Sequence, residues 1–125
     1  MSARFHPYLC GRNAAEWLID MKEKILIIED DGDVRKFLET ELGIYFEIIS
    51  EPDGLSGLQK AQSFEVDLII CDVLMPGMNG FDVTRKLKRD FETSHIPIIL
   101  LTAMSTSENK LEGVESGADA YITKP

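Results

Sequence analysis

From Lys24 onward, short apolar runs and amphipathic stretches take turns along the chain. Ile25, Leu26, Ile27 and Ile28 form an unbroken run that ends in Glu29, Asp30 and Asp31. Beyond it, Val34, Phe37, Leu38, Glu41 and Leu42 stand at i, i+3, i+4, i+7 and i+8. That is the spacing of one helix face, four of its five positions are apolar, and Gly43 stops it. The same reading predicts a strand over residues 46–50, a helix over 54–62 opened by Pro52 and Asp53, a strand over 66–72 and a helix over 80–89. Pro97 introduces a strand over 98–102. Ser105 and Glu108 have the spacing of a capping box for a fourth helix, Gly117 ends that helix, and Tyr121, Ile122 and Thr123 make a fifth strand.

Strand and helix therefore alternate, and the runs that belong at the centre are continuously aliphatic, as in strands buried on both faces. Alternation of this kind implies an α/β fold, a parallel sheet with helices on both sides, joined by right-handed crossovers. Residues 1–23 stand apart as an N-terminal extension to a domain over 24–125. Within them Ala14, Trp17, Leu18 and Met21 repeat at i, i+3, i+4 and i+7, with Asn13 and Glu16 placed as a cap pair. A short amphipathic helix over residues 13–24 is expected to feed directly into the first strand.

Composition narrows the classes. At 125 residues the chain suits one domain, and 44% hydrophobic with 28% charged residues is the balance of a folded protein. A net charge of −9 argues against direct nucleic-acid binding, which needs clustered Lys and Arg. No apolar run reaches the ~18 residues of a membrane span, and the N-terminus lacks the apolar core of a signal peptide. The two cysteines, Cys10 and Cys71, form no disulfide framework, which fits a reduced, cytoplasmic setting. Cys71 lies in an apolar run and is expected to be a buried, inert thiol.

The polar residues fall where ligands bind in open α/β sheets, at the carboxyl ends of strands. Glu29 and Asp30 end the first strand, Asp72 the third and Thr102 the fourth, and Lys124 follows the fifth. Taken singly, each is an ordinary strand end or turn residue; it is their joint occurrence at successive strand ends that points to a site. Three neighbouring carboxylates repel one another unless a cation sits among them, and hard oxygen ligands suit Mg2+. A carboxylate is a competent nucleophile toward phosphorus, with a lysine and a hydroxyl to meet the phosphoryl oxygens.

The blocks "ILIIEDD", "DLIICDVLMPGMNGFDV", "IPIILLTA" and "GADAYITKP" resemble, in order, the signature blocks of the receiver domain of two-component response regulators. The resemblance spans residues 24–125. It implies a flavodoxin-like fold with sheet order 2-1-3-4-5 and Asp72 as the phosphoacceptor. Mg2+ would be held by the side chains of Asp30 and Asp72, by Glu29 through water, and by the main-chain carbonyl of Leu74. Lys124 and Thr102 would engage the phosphoryl oxygens, Tyr121 would be the aromatic switch coupled to Thr102, and the Lys124–Pro125 bond would be cis. The phosphoryl donor would be the phosphohistidine of a histidine kinase or phosphotransfer domain. Neither His6 nor His95 has the setting of such a donor. Phosphorylation would move the face made by the fourth helix and fifth strand; that face or the N-terminal helix is a candidate homodimer contact. The domain would catalyse only its own phosphorylation and dephosphorylation.

Three departures from the family pattern carry expectations. Glu29 stands where aspartate is commoner. Leu74 and Met104, at positions that tune phosphoryl lifetime, are apolar and cannot orient an attacking water, so hydrolysis should be slow. The family's fifth helix would lie beyond Pro125: the favoured explanation is that the chain is a fragment of a longer protein, the alternative that the helix over residues 13–24 covers the sheet face left bare, and both can hold. The stretch "RDFETSHIPIILLTAMS" also resembles receivers embedded in hybrid sensor kinases that carry an AraC-type DNA-binding domain. The alternative function is a pseudo-receiver, a binding or dimerisation module that never carries phosphate. A metal-dependent phosphohydrolase of similar fold would need a DxDx[TV] motif after the first strand, where this chain has "EDDGDV".

Overall fold

Nine elements alternate strand and helix in a computed structural model that describes residue 13 and residues 22–103 and 107–124. They are β1 (Lys24–Ile28), α1 (Gly32–Leu42), β2 (Glu47–Glu51), α2 (Gly54–Ser63), β3 (Leu68–Asp72), α3 (Gly80–Arg89), β4 (Ile98–Thr102), α4 (Ser107–Ser116) and β5 (Ala120–Thr123). Local chemistry sets most of the boundaries. The Asp31, Asp53 and Asn79 side chains cap α1, α2 and α3 by accepting backbone N–H groups of the first turn. Lys86, Lys88 and Arg89 close the last turn of α3, where cations suit the helix dipole.

The five strands form one parallel sheet in the order β2-β1-β3-β4-β5, as expected. One face carries the main core. Leu26 and Ile28 of β1, Ile69 and Cys71 of β3, and Ile98 and Leu100 of β4 pack there against Leu58 and Ala61 of α2 and Phe81, Val83 and Leu87 of α3. The other face is smaller, with Ile25, Ile27 and Ile70 packed against Leu38 and Leu42 of α1. Asp119 ties the lower edge together. Its carboxylate accepts the Ile98 N–H at 2.8 Å and meets Lys88 Nζ at 3.0 Å.

One expectation needs correcting. β1 and β3 are buried on both faces, but β4 is not: Ile99 and Leu101 are half-buried between buried neighbours. The cause lies on the second face, where α1 has no fully buried residue and Phe37 is 56% exposed. A groove of about 450 Å³ runs there, lined by Val34, Phe37, Leu38, Leu101 and Ile122. The helix expected over residues 13–24, Trp17 included, falls almost wholly outside the described residues, as do Cys10, His6, Met104, Ser105 and Pro125 with its peptide bond.

Candidate functional site

Parallel registry brings the strand ends level. Ile28 stands beside Cys71, Asp72 beside Leu101, and Thr102 beside Thr123. The chain runs outward from β1 to β2 on one side and from β3 through β4 to β5 on the other. The crevice between β1 and β3 is thus the point where strand order reverses, which is where ligands bind in this architecture. Glu29 and Asp30 leave β1 there and Asp72 ends β3. Oxygen atoms of these three carboxylates lie within 4.8 Å of one another. Lys124 reaches in from beyond β5, with Nζ 2.7 Å from Glu29 Oε1 and 3.2 Å from Asp72 Oδ1. Its own N–H donates to the Thr102 carbonyl at 2.6 Å and extends the β4–β5 ladder by one step.

A shell of groups not singled out in the sequence holds this arrangement. The Arg35 guanidinium donates to the Glu29 carbonyl at 2.8 Å. Asp31 caps α1 through Oδ1, and its own N–H lies 3.3 Å from Glu29 Oε2. The acidic turn is thereby fixed to the start of a helix. On the other side, the Val73 N–H donates to the Leu101 carbonyl and the Gly80 N–H to the Val73 carbonyl, each at 2.9 Å. The start of α3 lies so close to the end of β3 that a Cβ on Gly80 would sit 2.4 Å from the Asp72 carbonyl oxygen. Backbone there cannot give way as a flexible side chain could. Gly80→Ala is expected to cost about 1–3 kcal/mol by overpacking, read as a lower urea midpoint.

Burial and like charge set the electrostatics. Glu29 is 1% exposed and Asp72 5%, whereas Asp30 is open to solvent. Burial first and the Glu29 carboxylate second push Asp72 up from 3.8 to about 7, while Lys124 pulls it back. Burial pulls the Lys124 ammonium down, but its bond to Glu29 and the charge of Asp72 outweigh that and leave it above the usual lysine range. Burial, then Asp72 and Glu29, lift the Cys71 thiol, so it stays protonated and unreactive, as the sequence implied. Two buried carboxylates against one lysine leave negative charge uncompensated. A divalent cation that takes oxygen ligands fits this donor set.

The structure thus brings together four of the expected site residues, Glu29, Asp30, Asp72 and Lys124. Thr102 is fully buried at the end of β4, next to Leu101, the residue paired with Asp72. Tyr121 lies half-buried on β5 against the main core. Leu74 follows Asp72 by two residues with its side chain 53% exposed. His95 is exposed, between α3 and β4.

Comparison with known proteins agrees with this geometry. The sequence profile of the response regulator receiver domain matches residues 25–125. Histidine kinase P4 of Formosa agariphila is 45% identical over 115 residues, which are 90% of this chain and 8% of that protein. Response regulator PleD of Caulobacter vibrioides is 42% identical over 106 residues, 84% of this chain and 23% of that protein. The chain thus spans a small part of these relatives' length. Among solved structures, chemotaxis protein CheY4 of Vibrio cholerae superposes with a TM-score of 0.79 at 32% identity, covering 83% of this chain and 88% of that one. The signal receiver domain of a histidine kinase from Syntrophus aciditrophicus superposes with a TM-score of 0.77 at 36% identity, covering 82% and 79%. With its sheet order, its acidic crevice and its sequence in agreement, this chain belongs to the response regulator receiver domains of two-component signalling.

Proposed function

We propose that Asp72 accepts a phosphoryl group from the phosphohistidine of a histidine kinase or phosphotransfer domain, and that the resulting change passes to an output partner. The observation that carries this reading is Lys124 bridging Glu29 and Asp72 beside Asp30, in the crevice where strand order reverses. An Asp72 oxygen attacks phosphorus, the donor's P–N bond breaks, and its electron pair leaves with the imidazole. Lys124 would meet one phosphoryl oxygen and the Thr102 hydroxyl another. Asp30, Asp72, Glu29 and the Leu74 carbonyl are the groups that would hold Mg2+. When bound, the ion would neutralise charge on the phosphoryl oxygens.

The apolar side chains of Leu74 and Met104 cannot orient an attacking water, so the phosphoaspartate is expected to hydrolyse slowly. Leu111 and Val114 on α4 are 59% and 71% exposed, which suits a partner or second copy at that face. The residues over 13–24 are a second candidate contact. No helix among the described residues is long and apolar enough to cross a membrane, and the acidity disfavours nucleic acid, so a cytoplasmic protein partner is the expected target.

The test is intact mass after incubation with acetyl phosphate, with and without Mg2+. One phosphoryl adduct is expected, which needs Mg2+, decays slowly after the donor is removed, and is missing from Asp72→Asn. A folded chain that takes no adduct would instead be a pseudo-receiver.

A further inference from the structure

Ala14, Trp17, Leu18 and Met21 repeat at the spacing of one helix face. A helix this short falls below the ~12 residues that hold together unaided in water, so its apolar stripe needs a surface to pack against. The structure fixes where this segment, which lies outside the described residues, joins the fold. The Glu23 carbonyl accepts the Glu47 N–H at 2.9 Å, and Lys24 pairs with Glu47 as β1 opens. The chain therefore enters at the amino edge of the sheet, with β2 on one side and β3 on the other.

Large apolar side chains flank that entry. Ahead of β2, Ile44 is 65% and Tyr45 70% exposed; ahead of β3, Phe64 is half exposed. The two sides differ. The Phe64 ring is already covered by Lys60, whose Nζ lies 4.8 Å from its centroid. Tyr45 meets Phe46 edge to face with centroids 6.4 Å apart, and Phe46 packs with Leu42 and Ile48 on the second-face core. Ile44 and Tyr45 thus prolong that core outward to the point where the chain enters. Reach decides between this edge and the groove on the same face. Leu101, in the groove, lies two strands over from β1 and level with its far end, about 19 Å from the entry at ~4.8 Å per strand and ~3.3 Å per residue. Trp17 precedes Glu23 by six residues, only about 9 Å along a helix. Tyr45 precedes Glu47, the partner of Lys24, by two residues, about 7 Å.

We propose that the segment over residues 14–21 folds back as a helix and seats Trp17 and Leu18 on Ile44 and Tyr45 of its own chain, closing the amino edge of the second-face core. An aromatic pair of Trp17 and Tyr45 is the centre of this contact. The seat lies at the edge of the sheet opposite Asp72, so it clamps the chain ahead of β1 and leaves the acidic crevice open.

Trp17 is the chain's single tryptophan, so its fluorescence reports on the segment alone. Acrylamide quenching is compared in the full chain, in the double variant Ile44→Ser with Tyr45→Ser, and in Phe37→Ser at the groove. Quenching of the native chain is expected to be at least about threefold weaker than that of the same chain in urea, and the double variant should lose most of this protection. Phe37→Ser should keep it. Native quenching as strong as in urea would overturn the proposal, as would protection lost in Phe37→Ser and kept in the double variant. Protection that falls away on dilution would place Trp17 on a second copy and overturn seating within one chain. Nuclear Overhauser contacts between the Trp17 indole and the Tyr45 ring are expected in the native chain. They need no variant, so their absence overturns the proposal even if the double variant does not fold.

Discussion

Lys124→Met is expected to slow phosphorylation of Asp72 by acetyl phosphate at least about a hundredfold, the loss typical when one preorganised charge-stabilising donor is removed. Methionine keeps the length of the stem and removes only the ammonium. That ammonium stands 3.2 Å from Asp72 Oδ1 and 2.7 Å from Glu29 Oε1. Arg35, the other cation at Glu29, donates to its main-chain carbonyl rather than its carboxylate. The same change should lower stability in EDTA by about 2 kcal/mol, because Glu29 stays buried without its ammonium partner. The cost stays below the roughly 3–5 kcal/mol of a fully buried pair, since the Lys124 side chain is 22% exposed and already partly screened. Time-resolved intact mass checks the first effect and urea denaturation the second. A rate loss under about fivefold would remove Lys124 from the phosphoryl site, whatever the stability shows.

How far these residues could be read from the sequence depends on where the information lies. Glu29, Asp72 and Lys124 were legible because a charge just past an aliphatic run is a local signal, and parallel strands carry such ends to one edge. α3 and β4 kept their expected bounds of 80–89 and 98–102 because a cap at Asn79 and a break at Pro97 are local as well. The strand order came from family resemblance, since alternation of strand and helix leaves several orders open. Arg35 and Gly80 were missed for a common reason. Each matters through what faces it across the fold, and nothing in its own neighbourhood says what that is. β4 was read as buried on both faces from its composition. Its half-open face depends on how much of the sheet α1 covers, which an apolar run does not record.

Asp72→Asn is expected to stabilise the chain in EDTA more at pH 8 than at pH 5, the gain growing by on the order of 2 kcal/mol across that interval. The sign follows from the carboxyl group itself. Asp72 titrates near 3.8 when unfolded and at about 7 in the fold, where burial and Glu29 oppose its charge. Between those values the folded chain holds a proton that the unfolded chain has released. Stability therefore falls as pH rises through the window and stops falling above about 7. Lys124 stays charged across this window, because its partners hold it above the usual lysine range, so the fall belongs to the carboxylates. Asparagine keeps the shape and never acquires the charge, so the difference between the two proteins reads the charge at position 72 together with its coupling to Glu29 and Lys124. Mg2+ should remove most of that difference at pH 8, stabilising the wild type by about 2–3 kcal/mol when its concentration is near a hundred times the dissociation constant, and the variant by much less. The same competition between ion and proton means that Mg2+ should bind more weakly as pH falls below about 7. Urea titrations at pH 5 and pH 8, with EDTA and with Mg2+, measure all of this in one series. A difference between the two proteins that is the same at pH 5 and pH 8 in EDTA would mean that Asp72 carries its charge without strain. The acidic crevice would then not be the poised cation site described above.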